Sequence, residues 1–256
     1  MSTLWDPALY LRFDDHRSRP FHDLLVRIGA EDPRAVVDLG CGPGHLTGLL
    51  AARWPGAAVT ALDSSAEMVA AARERGIDAQ QADVVDWMPG PDTDVVVSNA
   101  VLQWVPAHPQ LIPGWMTALP DGAWFAMQVP GNFAAPSHVL VRELAAAPRW
   151  RARLALRGEN AVPTPAAYAE LFAGTGADVD VWETTYLHRL TGADPVLEWI
   201  SGTALRPVRD ALDADRYAAF RAELAPLLRA AYPAQADGTT WFPFRRIFVV
   251  ARKRLT

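Results

Sequence analysis

Seven consecutive residues, Asp38-Leu39-Gly40-Cys41-Gly42-Pro43-Gly44, and Asp63, nineteen positions past Gly44, are where this sequence could do chemistry. Glycines let a backbone turn sharply and approach a ligand closely, where any Cβ would collide. Glycines after a strand can also make nothing more than a tight turn, so the context decides. Val36, Val37 and Leu39 form a short apolar run before the turn, and Leu46, Leu49 and Leu50 follow it at helical spacing. Asp63 ends a second apolar run, Ala58 to Leu62. A carboxylate there can accept hydrogen bonds from both hydroxyls of a ribose, so the pattern points to a nucleoside site.

Elimination narrows the nucleoside. The dinucleotide pattern Gly-x-Gly-x-x-Gly needs a third glycine where this chain has His45. It also brings a pyrophosphate to the helix start, where Asp38 would repel it. The Walker pattern is absent, and the single lysine, Lys253, lies far away in sequence. An acid at the end of the first strand suits a cationic ligand instead. S-adenosylmethionine carries an ammonium and a sulfonium, so Asp38 can act near its amino group, directly or through water.

The elements that must hold these residues follow from periodicity. From about residue 34 to 130, short apolar runs alternate with helical patterns. Strands are expected at 36–39, 58–62, 77–82, 94–98 and 123–129, with helices at 45–53, 66–75 and 111–119. Ser64 or Ser65 caps the second helix, and Pro113-Gly114 interrupts the third. Three consecutive valines, Val95 to Val97, suit a strand covered on both faces. Such alternation predicts a parallel sheet with right-handed crossovers.

Beyond residue 130 the pattern changes. Residues 136–157, 165–173 and 194–231 read as helical, 179–187 as a strand, and 247–251 as a closing strand. Residues 187–244 are therefore expected to form a mostly helical cap before the last strand. Trp5, Leu9 and Phe13 fall on one face of an N-terminal helix, as core or as a lid over the ligand. The expected layout is an N-terminal helical lid over 1–30 and one catalytic domain over 31–256.

Composition excludes several classes. The formal charge is −5, and no clustered positive charge suits polyphosphate, so a nucleic-acid partner is not expected. The only cysteine, Cys41, excludes an intramolecular disulfide and a cysteine-based zinc site. The six histidines show no i, i+4 pairing, and no metal is expected. With no signal-peptide pattern and no long apolar run, a cytoplasmic protein with no membrane partner is expected. Twenty-three arginines stand against one lysine. A GC-rich coding sequence explains most of that excess, but the planar guanidinium also suits carboxylates better than an ammonium does.

Residues 35–130 resemble the class I S-adenosylmethionine-dependent methyltransferases. Val37 to Gly44 matches that family's first motif, with Asp38, Gly40, Cys41, Gly42 and Gly44 against the cofactor. Asp63 resembles its ribose-binding acid, with Ser64 and Met68 beside it. Asp83, followed by Val84, resembles the acid that receives the adenine amino group. Asn99 and Ala100, after the fourth strand, fall where the family lines the methionine moiety. Leu119 to Ala123 resembles the turn before its fifth strand. The resemblance implies an α/β fold: a Rossmann-like seven-stranded sheet with helices on both faces and the helical cap inserted before the last strand.

The acceptor is narrower still. Asn99-Ala100-Val101-Leu102-Gln103-Trp104 replaces the Asn/Asp-Pro-Pro-Tyr/Phe motif of nucleic-acid amino-methyltransferases, and no metal cluster of the catechol type can be assembled. A small molecule remains. The segments Trp5 to Phe13, Arg17 to Pro20, Pro136 to Glu143, Trp182 to Tyr186, Leu205 to Pro207 and Phe244 to Arg252 resemble the trans-aconitate methyltransferase branch of the family. That resemblance implies methyl transfer to one carboxylate of a small polycarboxylate, giving a monomethyl ester. An ionised carboxylate needs no general base, so no catalytic side chain is expected.

Specificity then falls to the carboxylates that do not react. Arg206, Arg245 and Arg246 are the first candidates to hold them, followed by Arg17 and Arg19, for which the cofactor's own carboxylate is the alternative ligand. Tyr10, Trp104, His188 and Trp199 are candidates for walls or hydrogen-bond donors. Another small acid as acceptor, or a non-catalytic regulator that binds the cofactor, are the competing readings. Nothing in the sequence shows a damaged cofactor motif or an appended partner-binding domain.

Overall fold

The structure, a computed structural model, describes residues 14–158 and 161–255. Trp5, Leu9, Tyr10 and Phe13, the stripe and its neighbour in the expected lid, lie outside the described residues. The chain divides into two compact units. One contains the described residues up to Pro130, with Val162–Thr184 and the segment from Arg246 onward; the other contains Gly131–Ala161 and Thr185–Arg245.

Seven strands form one sheet: β1 (Ala35–Leu39), β2 (Ala58–Asp63), β3 (Ala79–Gln81), β4 (Thr93–Asn99), β5 (Trp124–Pro130), β6 (Asp178–Leu190) and β7 (Thr240–Arg252). Their order is β3-β2-β1-β4-β5-β7-β6. The pairs among β1 to β5 are parallel, and β7 runs antiparallel to β5. β1 and β4 neighbour each other although β2 and β3 intervene in sequence. The chain reverses its direction of sheet growth there, and in open α/β sheets ligands bind beyond the carboxyl ends of the strands at that switch point.

The sheet centre is apolar for the reason the valine run predicts. Val95, Val96 and Val97 are all fully buried, as are Phe125, Ala126 and Met127 on β5. Each such valine contributes about 1.5–3 kcal/mol relative to exposure. In the first unit α1 (Asp14–Leu25) packs on β5, α2 (Thr47–Arg53) on β2, and α3 (Ala66–Glu74) on β2 and β3.

The structure chooses between sequence expectations in one place and departs from them in others, each time with a cause. Ser65, not Ser64, caps α3: its Oγ accepts from Met68 N at 3.2 Å. α4 (His108–Ala118) runs through Pro113 unbroken. The lost backbone bond is outweighed by burial of Ile112, Trp115 and Met116 on one face. α5 stops at Ala146, because Ala147 precedes Pro148 and takes an extended conformation, ψ 149°. After α6 (Pro165–Ala173), the expected helix over 194–231 is three: α7 (Pro195–Ser201), α8 (Arg206–Ala211) and α9 (Ala214–Ala231). Gly202 ends the first, and Asp213 caps the last by accepting from Arg216 N at 2.9 Å.

β7 begins at Thr240, seven residues before the expected Ile247. Thr240, Phe242 and Phe244 are buried while Trp241 and Pro243 are exposed, a period-two pattern that Pro243 obscures in the sequence. In the second unit α9 packs on α5 and α7, and the interior is aromatic. Trp150 meets Phe220 edge to face, and Trp199 packs with Phe242 and Phe244.

Candidate functional site

The glycine turn sits at the carboxyl end of β1. Gly40 N and Cys41 N both donate to Leu62 O, at 2.8 and 2.9 Å, which ties the turn to the end of β2. Gly40 has φ +85°, and an added Cβ would lie 2.2 Å from Val101 Cγ2. Gly42 differs: φ is +54°, yet nothing lies within 4 Å of its Cβ position. Gly40 is therefore required by the protein's own packing, whereas Gly42 faces open space where a ligand backbone or ring can approach. Gly44 packs against Ala72. Cys41 is buried, and burial followed by the nearby Asp38 and Asp63 charges pushes its thiol far above the ordinary range. It contributes backbone rather than a nucleophile.

Two acids flank the turn. Asp38 is buried on β1 and accepts from Thr47 Oγ1 at 2.6 Å. Burial pushes its carboxyl up to about 6; the Thr47 hydrogen bond opposes this and the Asp63 charge adds to it. A cation placed beside it would favour the ionised form again. Asp63, at the end of β2, is oriented by two backbone donors: Gly42 N to Oδ2 and Ser65 N to Oδ1, both at 2.9 Å. The turn and the ribose-type acid are thus one hydrogen-bonded unit.

Ser64 is exposed next to Asp63, and Met68 is buried on α3. Asp83 follows β3, exposed, and caps the short 3-10 turn Val84–Asp86 by accepting from Val85 N at 3.0 Å. Val84 is buried beneath it, while Val85 and Met88 are exposed apolar side chains nearby in sequence.

At the end of β4 the backbone is strained. Ala100 has φ +58°, the only non-glycine with positive φ among the described residues. That conformation costs an L-residue of order 1–3 kcal/mol and clusters at functional sites. It is held by Ala100 N donating to Gln128 O at 2.9 Å and by Gln103 Nε2 donating to Ala100 O at 2.6 Å. Gln128, fully buried on β5, also donates through Nε2 to Asn99 Oδ1 at 2.8 Å and accepts at Oε1 from Arg246 Nη1 at 3.0 Å. Arg246 itself is only 5% exposed. Sequence reasoning missed Gln128 and Thr47. A glutamine inside the apolar run Trp124–Val129 was a usable signal, since a buried amide must have partners.

The first unit therefore gathers Asp38, the glycine turn, Asp63, Asn99 and Ala100 at the carboxyl ends of its parallel strands, with Arg246, on antiparallel β7, opposite Pro130 at the carboxyl end of β5. Trp104 ends a 3-10 turn after β4 and is 38% exposed. Arg19 lies exposed on α1; Arg17 is on the same helix, its side chain outside the described set, and Tyr10 lies outside the described residues.

The remaining candidates belong to the second unit. Arg206, at the start of α8, has its side chain 12% exposed and its Nε 3.8 Å from Asp210. Arg245 Nε donates to Gly131 O at 2.8 Å, and Asn132 brackets its backbone, accepting from Arg245 N and donating to Arg245 O. His188 stacks on Trp199 at 4.5 Å, and the two are 4% and 1% exposed. Both lie in the aromatic interior with Phe244. Many other arginines form exposed ion pairs, among them Arg189 with Asp237 and Arg254 with Asp178, and Arg34 grips Asp94 at the far ends of β1 and β4. Such exposed pairs stabilise by about 0–1 kcal/mol. Among the described residues no helix is long and apolar enough to cross a membrane.

Known proteins resemble this chain in sequence and in fold. A family model described as a methyltransferase domain matches residues 13–181. The trans-aconitate 2-methyltransferase of Rhodococcus jostii is 63% identical over 97% of this chain and 99% of its own length. That of Mycobacterium tuberculosis is 58% identical over 97% of this chain and 96% of its own. Among solved structures, YcgJ of Bacillus subtilis aligns with TM-score 0.58 at 16% identity, over 92% of this chain and all of the other. Phosphoethanolamine N-methyltransferase 2 of Haemonchus contortus, bound to S-adenosylmethionine, aligns with TM-score 0.57 at 18% identity, over 93% of this chain and 53% of its own. These distant likenesses concern the fold, a Rossmann-like α/β sheet. The chain belongs to the trans-aconitate 2-methyltransferase family of methyltransferases.

Proposed function

We propose that the protein transfers the methyl group of S-adenosylmethionine to one carboxylate of trans-aconitate, giving a monomethyl ester. The observation that carries this reading is identity of 58–63% with trans-aconitate 2-methyltransferases along nearly the whole chain. The strand ends fit the methyl donor. The Gly42 turn is open where a Cβ would sit, and Asp63 is held by two backbone donors. Asp63 accepts from the ribose hydroxyls, Asp83 from the adenine amino group, and Asp38 balances the ammonium. When bound, S-adenosylmethionine supplies a methyl group activated on a sulfonium.

The chain's own work is positional. The acceptor acid is ionised near neutral pH, so no side chain has to remove a proton. Holding two reactants in line supplies about 7–11 kcal/mol through proximity and orientation. Arg206, Arg245 and Arg246 are proposed to hold the carboxylates that do not react, with Arg17 and Arg19 as further candidates. Each charge-assisted pair contributes about 1.5–3 kcal/mol. Tyr10 and Trp104 are proposed as walls or donors. For His188 and Trp199, burial among aromatic rings supports packing, so any part in binding would be indirect.

The test is a panel of mono-, di- and tricarboxylic acids offered with methyl-labelled donor. Trans-aconitate is expected to have the highest kcat/KM. Turnover of trans-aconitate no better than that of monoacids would overturn the assignment of acceptor.

A further inference from the structure

Gln128 has two side-chain partners whose chemistry is unequal. Its Oε1 accepts from Arg246 Nη1 at 3.0 Å and its Nε2 donates to Asn99 Oδ1 at 2.8 Å. A guanidinium has only donors. Arg246 therefore dictates which way round the Gln128 amide sits, because the reversed amide would set NH2 against N–H. With Gln128 Nε2 facing Asn99, Asn99 must offer its carbonyl oxygen, and its own NH2 turns away from Gln128. Polarity runs in one direction along the three side chains. The main-chain carbonyl of Gln128 accepts from Ala100 N at 2.9 Å, fixing the backbone beside Asn99.

We propose that Gln128 is a positioning residue: set by Arg246, it orients Asn99 so that Asn99 Nδ2 donates to a carboxylate bound at the carboxyl ends of β1 and β4. An NH2 group recognises an acceptor, and Asp38 on neighbouring β1 serves a cation. The two residues thus divide opposite charges between adjacent strands. Which carboxylate is held rests on the methyl-transfer reading, since both the methionyl part of the donor and the acceptor acid carry one.

The experiment changes polarity while keeping shape. Gln128→Glu still accepts from Arg246 but has no donor for Asn99, so the Asn99 amide reverses and its Oδ1 meets the ligand carboxylate. Binding of S-adenosylhomocysteine and of 5′-methylthioadenosine, which lacks the amino-acid portion, is measured by calorimetry, together with KM for trans-aconitate. A loss of about ten- to a hundredfold is expected for one carboxylate ligand. Weaker S-adenosylhomocysteine with unchanged methylthioadenosine assigns the donor's carboxylate; raised KM for trans-aconitate with unchanged S-adenosylhomocysteine assigns the acceptor's. In an Asn99→Ala background the Gln128→Glu change is expected to have no further effect.

Equal weakening of both nucleosides, no change in any of the three values, or the same cost in the Asn99→Ala background would each overturn the proposal. Asn99→Asp is the second variant, should Gln128→Glu fail to fold. It keeps an acceptor for Gln128 Nε2 but places an oxygen where Nδ2 stood, so the same ligand pattern is expected and normal binding overturns the proposal. Wild-type protein that binds S-adenosylhomocysteine without methylating trans-aconitate would sink the acceptor assignment alone, leaving the nucleoside comparison to decide the role of Gln128.

Discussion

The strand ends of the first unit and the interior of the second use polar and aromatic groups in opposite ways. In the first, Asp38, Asp63, Asn99 and Gln128 are oriented by short hydrogen bonds around a glycine turn with open space at Gly42. In the second, His188, Trp199, Phe242 and Phe244 close on one another with almost no exposure. Packed rings stabilise; oriented polar groups beside open space recognise. Perturbing the second unit's interior should therefore change stability, and perturbing the first unit's strand ends should change affinity.

The largest effect is expected at Trp199. Trp199→Ala should destabilise by about 3–5 kcal/mol, read by chemical denaturation, with affinity for S-adenosylhomocysteine nearly unchanged in the protein that remains folded. A selective loss of affinity would give that ring a ligand-binding role and break the contrast. Asp63→Ala should do the converse. Losing the proposed ribose hydrogen bonds should weaken S-adenosylhomocysteine about ten- to a hundredfold by calorimetry; unchanged affinity would remove Asp63 from the ribose.

Arg206→Lys sharpens the comparison inside the second unit, where not every polar group need be structural. Loss of the planar fork should raise KM for trans-aconitate about tenfold without altering S-adenosylhomocysteine binding. An effect confined to Tm would return Arg206 to a local ion pair with Asp210. The smallest effect concerns pH. The Asp38 carboxyl lies near 6 in the folded protein, above its ordinary 3.8, because burial disfavours the charge. Its contribution to the stability of the ligand-free protein is therefore greatest below pH 4 and is lost as pH rises through about 6. Ligand affinity runs the other way, since an ammonium prefers the ionised acid. S-adenosylhomocysteine should bind several-fold more weakly at about pH 5 than at about pH 7.5, and Asp38→Asn should flatten that profile. A flat wild-type profile would place the ammonium elsewhere.

The same contrast explains what the sequence made legible. Asp38, the glycines and Asp63 could be read because a tight turn between strand and helix allows few residue types, so geometry writes itself into spacing. The Val95–Val97 run likewise announced a strand covered on both faces. Gln128 was harder, because its meaning lies in partners from two other strands, 29 and 118 positions away. The start of β7 was hidden by Pro243, although alternate burial continues through it. The break of 194–231 into three helices depended on Gly202 and the Asp213 cap, local signals overridden by a long apolar periodicity. The stacking of His188 on Trp199 was hidden for a similar reason, because a sequence does not show which aromatic residues face each other.

Carboxyl methylation is tested most directly by identifying the product. Protein, methyl-labelled S-adenosylmethionine and trans-aconitate are incubated, and the labelled acid is analysed by mass spectrometry and NMR. Carboxyl transfer predicts a single labelled methyl ester on one carboxylate, formed in equal amount to S-adenosylhomocysteine. Label on carbon, or no labelled acid from protein that binds S-adenosylhomocysteine, would contradict it.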